Sequence, residues 1–138
     1  MIIRKLTALL LVPVLAGLLV TGEADARPRT EPVFAAETIN YKGSVADAAK
    51  RVRKVIFRRK WEAKDKGAGH IRATYEKSSK KTTLMAAVNI KISGGKIRIS
   101  YAGSEGFSYD SAAKTIHHKY NSWVANLVRD MRVEFGDY

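Results

Sequence analysis

The chain has 138 residues, enough for one domain with one core, and 25 lysines and arginines against 13 acids give it a formal charge of +12. It contains no cysteine, which excludes disulfides, thiol catalysis, cysteine-bound metal and an acylated N-terminal cysteine. The charge directs attention to anionic partners, namely lipid phosphates, acidic polysaccharide, nucleic acid or an acidic protein face, without selecting among them.

Residues 1–26 have the layout of an export signal. Arg4 and Lys5 precede the apolar run Leu6–Val20, and Ala24-Asp25-Ala26 places small residues where a signal peptidase reads them. The run is shorter than the ~20 residues a membrane span needs, and Pro13 and Gly17 weaken it further. Cleavage before Arg27 is expected, with retention as an anchor the alternative. The removed segment carries Arg4, Lys5, Glu23 and Asp25, so the mature chain keeps the whole +12. That chain is expected in a periplasm or outside the cell, without a transmembrane span.

Residues 27–40 hold two of the three prolines and no helical or strand period, so a flexible leader is expected there, followed by a single domain over 41–138. Ser44 with Asp47 three residues on predicts a helix start. Val45, Ala48, Ala49, Val52, Val55 and Ile56 then recur at helical spacing, with lysines and arginines on the other sides. Trp61–Lys64 predicts a short strand turning at Asp65-Lys66-Gly67. From Ile71 the period is two: Ile71, Ala73 and Tyr75, then Leu84, Ala86, Val88, Ile90 and Ile92, then Ile97, Ile99 and Tyr101. Ser93-Gly94-Gly95-Lys96 predicts a hairpin, which sets Ile92 against Ile97, Lys91 against Arg98, Ile90 against Ile99 and Asn89 against Ser100. Phe107 and Tyr109 are read as a short continuation and Asp110–Thr115 as a loop. A second helix follows, with Ile116, Tyr120, Trp123, Val124, Leu127, Val128 and Met131 as its apolar stripe. The expected fold is a two-layer α+β domain, an antiparallel sheet of three or four strands with an N-terminal and a C-terminal helix on one face.

The stretch IHHKYNSW concentrates residues capable of chemistry. Adjacent histidines on a helix point about 100° apart, so His117 and His118 do not share a metal, and Asn121 occupies the position where a second helical ligand would stand. No metal site and no cofactor are expected. Ser104 or Ser108 with Asp110 and His117 would suit a hydrolase only if they converge in space. No nucleophile elbow, P-loop or dinucleotide fingerprint occurs. The favoured reading is that His117 and Asn121 tie the helix start to the preceding loop, while Tyr120 and Trp123 are core.

SYAGSEGFSY at 100–109 with TIHHKYNSWVANL at 115–127 resembles a family of small exported bacterial proteins, many of them lipoproteins, that share an Ile-His-x-x-Tyr-Asn-x-Trp motif. The matching positions are Tyr101, Ser104, Phe107, Tyr109, Ile116, His117, Tyr120, Asn121 and Trp123, with Trp61 upstream. The family has no established activity, so the resemblance implies fold and address only. This chain departs from the lipoprotein members in lacking the acylated cysteine.

The register brings Lys91 and Arg98 side by side on the sheet face turned away from the helices, with Arg72 in the same phase. Like charges directly opposite each other are destabilising, so a cluster kept despite that cost is read as an anion-binding surface, with a merely solvated face, lysines guarding exposed strands against aggregation, as the alternative. Lys77, Lys80 and Lys81 in the adjoining loop and Arg51, Arg58 and Arg59 on the first helix are expected to extend it. Nucleic acid is the disfavoured anion, because the aromatics share the core phase and do not interleave with the cations. The leading expectation is a non-enzymatic cell-envelope module for an anionic lipid, polysaccharide or acidic protein. The alternatives are an assembly component using an apolar patch near Met85 and Ala87, and a hydrolase using His117.

Overall fold

The computed structural model describes residues 29–138, so the export segment lies outside the described residues. The described chain is α+β, with seven strands and two helices. In chain order they are β1 (Thr30–Pro32), β2 (Glu37–Asn40), α1 (Val45–Arg58), β3 (Glu62–Gly67), β4 (His70–Ser78), β5 (Thr83–Ser93), β6 (Lys96–Glu105), β7 (Thr115–His117) and α2 (His118–Phe135).

Five strands form one antiparallel sheet in the order β2-β6-β5-β4-β3, and β1 pairs with β7 in a second, two-stranded sheet. The sheet is wider than the three or four strands expected, because β2 adds to the free side of β6. The expected leader is corrected by the same observation: β1 and β2 both fall within it. Neither segment is long enough to display a period, and Glu37–Asn40 has one buried apolar residue, Ile39. Their pairing partners lie about 60 to 90 residues away, which local patterning does not reveal.

Where the alternation is long, register follows from it. Ser93↔Lys96, Ile92↔Ile97, Lys91↔Arg98, Ile90↔Ile99 and Asn89↔Ser100 pair as the hairpin predicts. Gly94 and Gly95, at φ +56° and +77°, supply the left-handed pair that a two-residue turn requires. Beyond Val88↔Tyr101 the pairing shifts at a bulge to Ala87↔Gly103. β3 extends further than expected, through Gly67, and turns at Ala68–Gly69.

Ile71, Ala73, Ala86, Val88, Ile90, Ile97 and Ile99 on the inward face join Ala48, Ala49, Val52, Val55 and Ile56 of α1 and Tyr120, Val124, Leu127, Val128 and Met131 of α2 in one buried cluster. Ser44 caps α1 by accepting the Asp47 N–H at 3.1 Å. Val45, expected on the buried stripe, is exposed; it opens the first turn of α1 beside Gly69 of the β3–β4 turn. Gly136, at φ +63°, ends α2 in a left-handed cap. No described helix is long and apolar enough to cross a membrane.

α2 begins two residues later than its apolar stripe suggests. Ile116 and His117 belong to β7, and His117 is the N-cap, its Nδ1 accepting the Lys119 N–H at 3.1 Å. The rings of His117 and His118 therefore stack at 4.4 Å instead of diverging as two helical residues would.

Candidate anion-binding face

Antiparallel pairing arranges the outward residues of the five-stranded sheet in rows across the strands. One row runs Thr38, Arg98, Lys91, His70. The next runs Ser100, Asn89, Arg72, Lys64. On the hairpin side of the first lies Asn40, Lys96, Ser93, with the Lys96 Nζ donating to Asn40 Oδ1 at 3.0 Å. These rows bring together Arg72, Lys91 and Arg98 as the sequence predicts, and they add Lys64, Lys96 and His70. No acidic residue stands in them, and none of their cations is in an ion pair among the described residues. Glu62–Gly67 has no apolar alternation from which the face of Lys64 follows; pairing with β4 assigns it.

Away from the hairpin the same face changes character. Thr74, Ala87 and Gly103 form a small-residue row ending at Glu62, and Glu76, Met85 and Glu105 form the row beyond. The face thus has a cationic end and an acidic end. Lys77, Lys80 and Lys81 lie past the acidic end, where Lys77 pairs with Leu84 and Lys80 and Lys81 occupy the β4–β5 turn. Seven residues separate His70 from Lys77 along β4, a distance of ~23 Å. The loop is therefore not beside the Lys91–Arg98 pair, contrary to the expectation.

The arginines of α1 are also removed from the site. Arg51 and Arg58 both bond the Glu134 carboxylate, at 3.3 and 3.2 Å, and Arg59 bonds Asp130 at 2.6 Å. Arg51 in addition covers the Phe135 ring at 4.5 Å. These three side chains fasten α1 to α2, a role that neither helix sequence displays by itself.

The aromatic motif residues converge in the core. Trp61 stacks on Tyr75, which meets Trp123 edge-on at 4.9 Å; Trp123 meets Phe107 at 5.1 Å, and Phe107 meets Tyr120. Tyr101 stacks on Tyr109 at 4.5 Å, and its hydroxyl bonds Ser104 Oγ at 2.9 Å. Tyr120 donates to the carbonyl of Ala87, where the bulge interrupts the ladder, at 3.0 Å. Burial pushes the Tyr120 hydroxyl's pKa well above the ordinary tyrosine range, and the nearby Tyr101 and Tyr109 push in the same direction.

Asn121 fastens the N-terminal segment instead of the loop before α2. Its Oδ1 accepts the Phe34 N–H at 2.9 Å, and its Nδ2 donates to Pro32 O and Glu31 Oε1. Of the residues considered for hydrolysis, Asp110, Ser104 and His117 are engaged locally. Asp110 Oδ1 accepts the Ala112 and Ala113 N–H groups, Ser104 bonds Tyr101, and His117 Nδ1 caps α2. No group of three His, Asp or Glu side chains is placed to hold a metal among the described residues. Of the two residues named for an apolar patch, Ala87 is fully buried and Met85 half-buried. No protein-family model matches the chain, and no curated protein sequence matches it.

Proposed function

We propose that this protein is a non-enzymatic binding module of the cell envelope that holds an anionic partner on the outward face of its sheet. One observation carries the reading: Lys91 stands opposite Arg98 and next to His70, with Arg72, Lys64 and Lys96 in adjoining positions, and none of them is in an ion pair among the described residues. By contrast, Arg51, Arg58 and Arg59 have found acidic partners within the fold. Like charges held opposite each other cost stability, and a bound anion removes that cost. The export signal read in residues 1–26 gives the address, and the partner is a lipid phosphate, an acidic polysaccharide or an acidic protein surface.

The test is retention of the purified protein on lipopolysaccharide, acidic-lipid and polyanion matrices, washed at low and then high salt. Retention should fall steeply with salt and be lost in the double variant K91E/R98E, which removes two cations from one row. The paired variant R58Q/R59Q should bind nearly as well as the wild type. Absence of salt-sensitive retention on all three matrices would refute the reading.

A second reading, a component of a protein assembly, is favoured by a different feature. Phe57 is 81% exposed, and beside it the edge strand β3 is exposed along its whole length. A partner that co-purifies through washes at high salt would support this reading over the ionic one.

A further inference from the structure

Arg72 does not splay into solvent like the cations around it. Its Cα lies on β4 opposite Asn89, yet a Cβ built on Gly103 of β6 would stand only 3.2 Å from its Nη2. The side chain therefore lies flat across β5 and ends over the neighbouring strand. Ala87, in the row it crosses, is fully buried although it is on the outward face. Gly103 has no left-handed φ that would call for glycine; the missing side chain is what leaves room for the guanidinium. Arg72 is half-buried as a residue, and its fork has no ion-pair partner among the described residues.

Donors surround this position on the hairpin side. Ser100 offers its hydroxyl. His70 Nε2 meets Asn89 Oδ1 at 3.4 Å, and because that oxygen only accepts, the histidine donates and the Asn89 amide N–H groups stay available. Lys91 and Arg98 stand one row further on, ~7 Å along the strands. Glu62 and Glu105 bound the opposite side.

We infer that Arg72, seated over Ala87 and Gly103, is the anchor for one phosphomonoester group of the anionic partner. This rests on the reading of the outward face as an anion surface and adds the class of anion. A guanidinium fork engages two oxygens at once. A carboxylate has no third oxygen to give, whereas a phosphomonoester keeps further oxygens for Ser100 and Asn89 and a second charge for Lys91.

Sedimentation with vesicles of phosphatidic acid, a phosphomonoester, and of phosphatidylserine, a phosphodiester, at equal anionic fraction tests this. The wild type should favour phosphatidic acid by about fivefold or more. R72K keeps the charge but loses the fork; it should bring the two vesicles close to parity while leaving salt-sensitive binding to both. G103V, which displaces the guanidinium without changing charge, should act likewise, and R72K carries the test if G103V does not fold. Release by glycerol 3-phosphate would make a soluble phosphate ester the partner. Preference for the vesicles without such release would make it a lipid headgroup; both support the anchor. A preference that survives R72K, or no preference in the wild type, overturns the anchor and leaves the general anion surface standing. Failure to bind either vesicle at low salt overturns the anchor together with the lipid-phosphate form of the wider reading.

Discussion

His117 stands where β7 gives way to α2, and its neutral ring is what allows Nδ1 to accept the Lys119 N–H. Burial lowers its pKa below 6.5, and the neighbouring charges of His118 and Lys119 lower it further. In the window between the lowered folded value and 6.5 the unfolded chain binds more protons, so stability is full above that window and declines as pH falls through it. Urea midpoints measured from about pH 7.5 down to 5 should show this decline, and H117N should remove the histidine's share while keeping a side-chain acceptor at the cap. A second residue-scale expectation concerns Tyr120. Y120F takes away the hydroxyl that satisfies the Ala87 carbonyl at the bulge, and a loss of about 1–2 kcal/mol in denaturant unfolding is expected. The motif's sequence shows which residues it holds but not their partners. Asn121 reaches residues 31–34, some 90 positions back in the chain, and no pattern in IHHKYNSW points there.

Among the elements, α1 and α2 are joined by an apolar seam and by a row of charges along its rim. Glu134, with 15% of its side chain exposed, accepts from both Arg51 and Arg58, whereas the Arg53–Asp65 pair is exposed on both sides. E134Q should therefore cost about 1 kcal/mol after solvent screening is allowed for, and D65N less than about 0.5 kcal/mol, in parallel denaturation curves. The helix start, the hairpin and the register of β5 with β6 follow from local chemistry: a capping serine, a Gly-Gly turn and a strict alternation. The two short N-terminal strands do not, because pairing with β6 and β7 is what makes them strands. The bulge between the Val88↔Tyr101 and Ala87↔Gly103 pairs is also a product of the assembled sheet, and it sets Gly103 beneath the Arg72 guanidinium.

Across the whole molecule the net charge of +12 is distributed unevenly. The helix layer pairs several of its arginines with acids, and the outward sheet face concentrates, near the hairpin, cations with no ion pair among the described residues and, near the other end, acids. This separation lets stability and binding be tested against each other. K91E places an acid opposite Arg98, and it should stabilise the fold by about 0.5 kcal/mol while weakening retention on anionic matrices. A face kept only for solubility would show the first effect without the second.

Composition and periodicity by themselves determined the α+β class, the two amphipathic helices, the inward set of each long strand and the Lys91–Arg98 juxtaposition, because each depends on side chains a few residues apart. Tertiary structure alone decided which cations remain unpaired. Arg51, Arg58 and Arg59 look no different from Arg72 along the chain. Only the docking of α2 brings Glu134 and Asp130 to the first three, and only the strand order brings Gly103 beneath the fourth. Electrostatic partnership is a property of distance in space, and for these residues the distance is set by contacts between segments far apart in sequence.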